Sequence, residues 1–301
     1  MLTTDLAQNF RALQCAVEVQ APMARYTSFK IGGPVDLLVT APSAQAAEKA
    51  LTFCRERELP VSFLGNGTNL LVSDEGIRGV VLRLSGEPAE QMAVHGDTIT
   101  CPAGLPLKAL CRFARDNGLA GLEFAYGIPG TVGGAVYMNA GAYGGQMEDV
   151  LLCARALYPD GSQREVPRAE MGLGYRRSIF MEKQAVVIAA AVRLTPDEPA
   201  AITARMEEYL RRRREKQPLE YPSAGSFFKR PEGHFAGALI ESSGLKGYTV
   251  GGAQVSEKHA GFVINRGGAT CADVLSLAEQ VREKVLLDHG VELEPEVRYI
   301  G

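Results

Sequence analysis

The stretch GIPGTVGGAVYMNAGAYGG, residues 127–145, is unusually rich in glycine. It lies inside a run of 24 residues, 124–147, that has no charged side chain and holds seven glycines. Pro129 and the glycines make this run a poor lipid-facing helix. Glycines also cost backbone entropy and supply no side chain for packing. A backbone that lies against a large planar or phosphorylated ligand explains them better than a series of tight turns, so we predict a ligand-binding segment.

A second glycine-rich loop, Gly65-Asn66-Gly67-Thr68-Asn69, lies between the apolar segments 61–64 and 70–72, which we expect to be strands. Glycines permit positive φ angles, and successive backbone N–H groups can then converge on an anion such as a pyrophosphate. Taken alone, a plain turn between strands is the better interpretation. A Rossmann fingerprint is excluded because the third glycine is missing and a strand follows where a helix should begin. The sequence contains no Walker loop.

Short strands and a few amphipathic helices surround these two loops, which predicts an α+β fold without internal repeats. Asp160-Gly161 is a strong hairpin signal, and the apolar run 185–194 has the character of a central strand. Helices are expected at the N-terminus, after Ser43, from Leu107, over 200–215, and from Thr270 to Gly290. Strands are expected at 35–39, 61–64, 70–72, 80–84, 92–94, 98–101, 151–157, 163–166, 185–194, 262–265 and 291–300, and near Phe227 and Val255.

The length of 301 residues predicts two or three domains. The first unit is expected to close near residue 84, and 195–199 has the composition of a linker, so we predict domains at 1–84, 85–198 and 199–301.

The formal net charge of −3 provides no bulk attraction for nucleic acid or an anionic membrane. The basic run Arg211–Arg214 lies on a predicted helix, where a solvated face is the simpler explanation.

Six cysteines lack any Cys-x-x-Cys spacing, and most lie among apolar residues, as reduced thiols do in a reducing compartment. Asp5 and Arg11 precede any apolar run, so the N-terminus does not read as a signal peptide. The four histidines show no metal-ligand spacing, and no metal site is predicted. These features predict a cytoplasmic protein that binds neither nucleic acid nor membrane.

Three further residues are candidates for chemistry, although each also has a simpler explanation. Ser226, in a Gly-Ser turn beside a strand, could present a proton to a substrate carbon, but a surface turn is favoured without context. Glu296 shares one face of the predicted last strand with other charged residues, so a solvated polar face explains it. Arg176 has the character of an ordinary surface arginine. No catalytic Ser-His-Asp or Cys-His arrangement stands out.

Taken in order, these segments resemble the UDP-N-acetylenolpyruvoylglucosamine reductase family over nearly the whole chain. TSFKIGG at 27–33, GNGTNLL at 65–71 and the 127–145 stretch are similar to the segments with which the family binds FAD. The catalytic and substrate segments of the family resemble GYRRS at 174–178, GSFFK at 225–229, GYTVGG at 247–252, KHAGF at 258–262 and EPEVR at 294–298. Any one of these matches is weak evidence for the family, but eight matches in the family's order are specific to it.

The resemblance implies a two-subdomain FAD-binding unit of the vanillyl-alcohol-oxidase type, at 1–84 and 85–198, and a smaller α+β substrate-binding domain at 199–301. It implies bound FAD, NADPH as co-substrate, and UDP-GlcNAc-enolpyruvate as the substrate that is reduced for peptidoglycan synthesis. Hydride would pass from NADPH to the flavin and then to C3 of the enol ether. An enolate would develop at C2, so the protein must stabilise negative charge and supply a proton.

The family pattern also assigns roles to individual residues. Ser226 would donate the proton to C2, Arg176 would pair with the substrate carboxylate, and Glu296 would hydrogen-bond the developing enolate. Further contacts to the substrate are implied for Tyr175, Lys216, Arg230 and His259. The implied FAD-binding residues are Gly65, Asn66, Gly67, Thr68, Asn69, Pro129, Gly130, Gly133, Gly134 and Asn139.

Three features depart from the family pattern or leave an alternative open. Thr68 stands where serine is common, and Arg230 stands where other members carry asparagine. The chain also lacks the insertion that carries a substrate-covering tyrosine loop in longer members. The alternatives are a flavin oxidase of the same fold and a non-catalytic nucleotide-binding module. A monomer is expected.

Overall fold

The computed structural model describes residues 3–85 and 91–301, and within them helices and strands alternate as the sequence predicts. Eight α-helices occur in these residues: α1 (Thr3–Ala12), α2 (Ala44–Glu56), α3 (Leu107–Asp116), α4 (Val132–Tyr137), α5 (Ile179–Glu182), α6 (Pro199–Lys216), α7 (Ala236–Ser242) and α8 (Cys271–His289).

The strands of the described residues are mostly short, and several contain only two or three residues. They are β1 (Ala16–Pro22), β2 (Pro34–Ala41), β3 (Val61–Leu64), β4 (Leu70–Val72), β5 (Ile77–Leu84), β6 (Ala93–His95), β7 (Thr98–Pro102), β8 (Leu119–Ala120), β9 (Gly141–Ala142), β10 (Gly145–Gln146), β11 (Leu151–Leu157), β12 (Gln163–Pro167), β13 (Val186–Arg193), β14 (Thr195–Pro196), β15 (Ser223–Ser226), β16 (Thr249–Val250), β17 (Ala253–Val255), β18 (Phe262–Asn265) and β19 (Arg298–Ile300).

Three larger sheets organise these strands, in the orders β1-β2-β5-β3, β12-β11-β13-β7-β6 and β15-β18-β17-β16. The predicted hairpin is confirmed, because β11 and β12 pair antiparallel around Asp160-Gly161. The predicted central strand is also confirmed, because β13 occupies the middle of the five-stranded sheet, where β11 and β7 pair with its two edges. Small pairs complete the structure, among them β4 with β19, which run parallel.

The chain divides into two compact units. The first comprises the described residues of Met1–Val19, Leu37–Asn66 and Gly79–Arg212, and the second comprises Gln20–Asp36, Gly67–Arg78 and Arg213–Gly301. Three buried hydrophobic clusters lie within them. In the first unit, one packs α1 and α2 on the four-stranded sheet β1-β2-β5-β3, and another packs α3 and α4 on the five-stranded sheet. The cluster in the second unit packs α7 and α8 on β17 and β18.

The helix ends follow the local signals in the sequence. Ser43 caps α2 by accepting a hydrogen bond from the N–H of Ala46. Thr270 and Asp273 form a reciprocal capping box at the start of α8, and Gly290 ends that helix in the left-handed conformation with φ 67°. Asp74 adds a contact that no local pattern predicts, because its carboxylate accepts from the N–H groups of Cys271 and Ala272 at 2.8 and 3.0 Å.

One predicted strand is largely wrong. Residues 291–297 form no strand, and β19 begins only at Arg298. Leu293 and Val297 are buried, which breaks the simple alternation assumed for the segment, and Pro295 makes only an isolated bridge with Phe228. The strand begins where Arg298 pairs with Leu70 of β4, far away in sequence. The linker is shorter than predicted, because Thr195 and Pro196 form β14 and α6 starts at Pro199.

Candidate active site

The charge-free glycine segment contains a short helix that the sequence did not predict. Thr131 caps α4, and its hydroxyl accepts from the N–H of Gly134 at 3.1 Å. The N–H of Gly133 donates to the carbonyl of Ala103 at 2.8 Å, and a Cβ added to Gly133 would lie 2.9 Å from the Ala103 Cβ. Gly133 and Gly134 therefore use their N–H groups inside the protein, and Gly133 also allows α4 to pack closely on its neighbour.

The two glycine-rich loops meet within the first unit. The Asn66 Nδ2 donates to the carbonyl of Pro129 at 3.1 Å, and a Cβ added to Gly65 would lie 2.9 Å from the Thr131 Oγ1. Among the described residues, an added Cβ at Gly130 would find only the Ile128 side chain, 4.0 Å away, so the backbone there is open to a close neighbour. These contacts place two separate loop segments side by side, as a ligand that spans both would require.

Within the second unit, the loop continues through Gly67 and Thr68 beside the TSFKIGG segment. Gly67 has a φ of 62°, and a Cβ there would lie 2.1 Å from the carbonyl oxygen of Tyr26. Only glycine fits so close an approach. The carbonyl of Gly67 accepts from the N–H of Ser28 at 3.0 Å. The N–H groups of Gly67 and Thr68 donate to no acceptor in residues 3–85 and 91–301, so they are available to an anion.

These features fit FAD. Available backbone N–H groups and the hydroxyl of Thr68 suit its diphosphate, since oriented backbone amides bind anions without a charged side chain. An open, charge-free backbone at Gly130 suits a planar ring. In the first unit the residues suited to such a group are Gly65, Asn66, Pro129 and Gly130, and in the second unit they are Gly67 and Thr68.

Ser226 is presented on the second unit at the end of β15. Gly225, which precedes it, has a φ of 82°, and a Cβ added there would meet no atom of the described chain within 4 Å. The Ser226 side chain is exposed, and its hydroxyl bonds to no group in the described part of the chain. The N–H of the next residue, Phe227, donates to the carbonyl of Gly261 at 2.8 Å. The strand is therefore held firmly while the hydroxyl stays accessible.

Glu296 lies on the segment adjacent to Ser226 in the same unit. Its N–H donates to the carbonyl of Phe227 at 2.8 Å, and its own carbonyl accepts from the Asn69 Nδ2 at 3.1 Å. The N–H of Arg298 donates to the carbonyl of Asn69 at 3.0 Å. Asn69, which the resemblance assigns to FAD, therefore uses its side chain to fix the backbone of Glu296. The segments of Ser226 and Glu296 are brought together, as their predicted roles require.

Arg176 lies in the first unit, at the second position of a two-residue turn. The turn is closed by hydrogen bonds in both directions between Gly174 and Arg177, at 3.1 and 3.2 Å. Arg176 has a φ of 54°, a left-handed conformation that favours glycine or asparagine and costs a bulky side chain roughly 1–3 kcal/mol. Its guanidinium lies 5.0 Å from the ring of Tyr175, and Nη2 donates to the carbonyl of Gly141 at 3.3 Å. Backbone strain of this kind concentrates at functional sites.

Three of the remaining predicted substrate contacts lie in the second unit. The fourth, Tyr175, lies in the first unit, and its side chain is half exposed. Lys216 ends α6 and is exposed. Arg230 is exposed as well, and its guanidinium carbon lies 4.0 Å from the centre of the Phe235 ring. His259 packs edge-on against Phe262, and its Nδ1 accepts from the N–H of Gly261 at 3.1 Å.

His259 should make stability depend on pH. Burial lowers its pKa from the ordinary value of 6.5, and Lys246 and Lys216 lower it further, while a backbone hydrogen bond and Glu241 oppose the shift. The His259 imidazole therefore binds a proton more readily in the unfolded chain than in the folded one. The stability that depends on this group is fully present above pH 6.5 and is lost as the pH falls below that value. We expect His259→Gln to weaken this acid-side loss. Urea unfolding of both proteins at about one pH unit above and below that value measures it, and an unchanged pH dependence would contradict it.

Sequence reasoning missed several residues that organise these loops. Ser28 donates its hydroxyl to the carbonyl of Ser223 at 2.6 Å and so ties the TSFKIGG segment to β15. Ser178 is fully buried and donates to the carbonyl of Tyr137 at 2.6 Å. Both lie in quoted motifs, but only their neighbours had been singled out. Small hydroxyl residues inside such motifs are a usable signal, because they satisfy backbone carbonyls locally.

Other classes of site find no support in the described ranges. No group of histidine, cysteine and acidic side chains there could hold a metal ion. All six cysteines are free, and all but Cys153 are buried. The helices of the described residues include none long and apolar enough to span a bilayer. The Arg211–Arg214 run is a solvated face, as predicted, with Arg211 and Arg212 both paired to Glu208.

Comparison with known proteins identifies the family. Residues 35–167 match a family model described as an FAD binding domain, and residues 217–300 match the UDP-N-acetylenolpyruvoylglucosamine reductase C-terminal domain. Proteins named UDP-N-acetylenolpyruvoylglucosamine reductase are 49% identical in Syntrophomonas wolfei, over 95% of both chains, and 48% identical in Clostridium botulinum, over 95% of this chain and 92% of the relative. The solved structure of the reductase of that name from Thermus caldophilus has a TM-score of 0.81 and 36% identity, and the match covers 95% of this chain and 99% of that one.

Proposed function

This chain belongs to the UDP-N-acetylenolpyruvoylglucosamine reductase family, and from that premise we propose that it reduces UDP-GlcNAc-enolpyruvate to UDP-N-acetylmuramate at the expense of NADPH. The observation that carries the proposal is the 49% identity over 95% of both chains. The domain matches agree, since residues 35–167 match an FAD binding domain and residues 217–300 match the C-terminal domain of the family. The reaction is a step of peptidoglycan precursor synthesis.

Bound FAD would supply the hydride chemistry that links NADPH to C3 of the enolpyruvyl group. The glycine-rich loop at 65–69 would hold it through the N–H groups of Gly67 and Thr68, and the glycine segment at 127–145 would hold it against the open backbone at Gly130. The absence of charged side chains along 124–147 supports a flat, uncharged surface for the ring system. The protein's own task is then to bind the substrate carboxylate, to stabilise the charge that develops at C2, and to protonate that carbon.

We assign these tasks to three residues. Arg176 pairs with the carboxylate, because its planar guanidinium offers two parallel donors to two oxygens. Ser226 donates the proton to C2, and its accessible hydroxyl on a well-held strand supports that role. Glu296 hydrogen-bonds the enolate as it forms, on a backbone fixed by Asn69 and Phe227. Tyr175, Lys216, Arg230 and His259 are proposed to contact the substrate further out.

The same proposal extends to the domains and to the setting of the enzyme. We keep the domains near 1–84, 85–198 and 199–301 as part of the proposal, because each of the three hydrophobic clusters draws most of its residues from one of these ranges and only two or three from another. Substrates such as NADPH and a nucleotide sugar, together with six free cysteines, support action in the cytoplasm. A monomer is part of the same proposal.

The test is a two-step spectroscopic titration of the purified protein. We expect a yellow protein whose flavin absorbance disappears on addition of NADPH under nitrogen and returns on addition of UDP-GlcNAc-enolpyruvate, with UDP-N-acetylmuramate formed in equal amount. A flavin that oxygen reoxidises rapidly and the enolpyruvyl substrate leaves unchanged would identify an oxidase of the same fold. A colourless protein that takes up no FAD would leave only a nucleotide-binding module.

A further inference from the structure

Three hydrogen bonds within the first unit tie the turn that carries Arg176 to the glycine segment. The Asn139 Nδ2 donates to the carbonyl of Gly174 at 3.0 Å, and the Ser178 Oγ donates to the carbonyl of Tyr137 at 2.6 Å. The third is the bond from Arg176 Nη2 to Gly141. The three contacts involve every second residue of the glycine segment, at positions 137, 139 and 141. The turn is therefore joined to that segment at regular intervals.

Asn139 makes the central contact of the three, and the protein engages its whole side chain. It is fully buried, and its Oδ1 accepts from the N–H of Glu148 at 2.9 Å. Besides the bond to Gly174, its amide nitrogen lies 3.5 Å from the Gln146 Oε1 and from the Glu148 Oε2. A side chain with both ends occupied inside the protein has little left for a ligand. This is difficult to combine with a direct hydrogen bond from the Asn139 side chain to FAD.

We propose that Asn139 is a positioning residue for Arg176. By holding Gly174, it fixes the turn in which Arg176 adopts its left-handed backbone, and so directs the guanidinium toward the substrate carboxylate. The inference rests on the proposed function, since it needs Arg176 to bind that carboxylate. A turn that contains a strained residue will relax unless its surroundings hold it. The buried Asn139 amide holds the turn at the carbonyl of Gly174, one of the two residues whose backbones close it.

The conformation of Asn139 suggests the substitution to use. Its φ is 42°, so alanine would add backbone strain to the effect of losing the amide, whereas glycine allows the conformation and removes the side chain. Asn139→Gly is therefore the main variant. Asn117→Gly is its matched control, because Asn117 lies in the same unit and its side chain donates an exposed hydrogen bond to the carbonyl of Phe113.

The experiment compares two ligands that differ only in the carboxylate-bearing group. Calorimetry on the FAD-loaded protein gives the affinity for UDP-GlcNAc-enolpyruvate and for UDP-GlcNAc, which lacks the enolpyruvyl carboxylate. In Asn139→Gly we expect the preference for the enolpyruvyl ligand to fall about 10-fold, which corresponds to the loss of one well-placed charged contact. The affinity for UDP-GlcNAc and for FAD should stay within about 2-fold, and Asn117→Gly should match the wild type.

A second comparison separates positioning from a general loss of structure. In a protein that already carries Arg176→Ala, Asn139→Gly should change the ligand preference by less than about 2-fold, because the group it positions is gone. Equal weakening of both UDP ligands, or loss of FAD alone, would overturn the proposal. So would a full effect in the Arg176→Ala background.

A second variant and the ligand preference of the wild-type protein complete the test. If Asn139→Gly does not fold, Ser178→Ala removes a neighbouring bond of the same turn and should lower the same preference in the same direction. An unchanged preference in Ser178→Ala would then count against the positioning role. Failure of the proposed function looks different, because the wild-type protein itself would then bind UDP-GlcNAc-enolpyruvate no better than UDP-GlcNAc.

Discussion

Replacement of Ser226 by alanine is expected to slow transfer to the enolpyruvyl substrate on the order of 10²-fold or more. Flavin reduction by NADPH should stay within about 2-fold of the wild type. Only the second half-reaction places a proton on carbon, so only that step loses its donor. The size follows from general acid catalysis, where removal of a positioned proton donor costs roughly 10²–10⁴-fold.

The surroundings of Ser226 indicate that alanine removes the hydroxyl without disturbing the neighbouring structure. The side chain is exposed and bonds to no described protein group, so alanine leaves no buried partner without a hydrogen bond. Gly225 and the bond from Phe227 to Gly261 hold the strand through the backbone, which the substitution does not change. We therefore expect the free energy of unfolding to change by less than about 0.5 kcal/mol, as for an ordinary surface position.

Stopped-flow absorbance measures the two half-reactions separately. Ser276→Ala is the control, because Ser276 is an exposed serine of α8 whose hydroxyl only accepts from Gln280. It should leave both rates unchanged. Equal slowing of both half-reactions in Ser226→Ala would mean that the serine supports the structure rather than donating a proton. An unchanged second half-reaction would place the proton donor elsewhere.

The sequence was most informative where a local signal decides the outcome. The strand pair around Asp160-Gly161, the cap of α2 at Ser43 and the capping box at Thr270 depend on residues within a few positions of each other, and all three are confirmed. The central position of β13 was predictable because a strand covered on both faces needs an unbroken apolar run.

Contacts between residues that are far apart along the chain could not be predicted from the sequence. β19 exists only because residues 298–300 lie beside β4, more than 200 residues earlier, and Pro295 interrupts the apparent strand before it. The helix α4 contains two glycines, which argue against a helix, and close packing of Gly133 on Ala103 outweighs that preference. Nor could a pattern show that the side chains of Asn69 and Asn139 bond to the backbone of Glu296 and Gly174.

The second large effect is expected at Arg176, where activity and stability should change independently. Arg176→Ala and Arg176→Gly both remove the guanidinium, and both should slow transfer to the enolpyruvyl substrate by roughly 10²–10³-fold, as loss of a positioned donor to developing charge does. Arg176→Lys should also be impaired, because an ammonium lacks the planar pair of donors. Stopped-flow reoxidation by the substrate measures all three.

Stability should instead separate alanine from glycine at this position. At a φ of 54° glycine pays no steric penalty, whereas alanine keeps the strain of a Cβ, so we expect Arg176→Gly to be about 1 kcal/mol more stable than Arg176→Ala. Urea unfolding of the two apoproteins measures the difference without any contribution from ligand. Equal stability would mean that the left-handed turn costs nothing, and the inference that strain is kept for function would fail. A difference of the expected sign, with the two activities equally low, would show that the arginine is held in an unfavourable backbone because the reaction needs its guanidinium there.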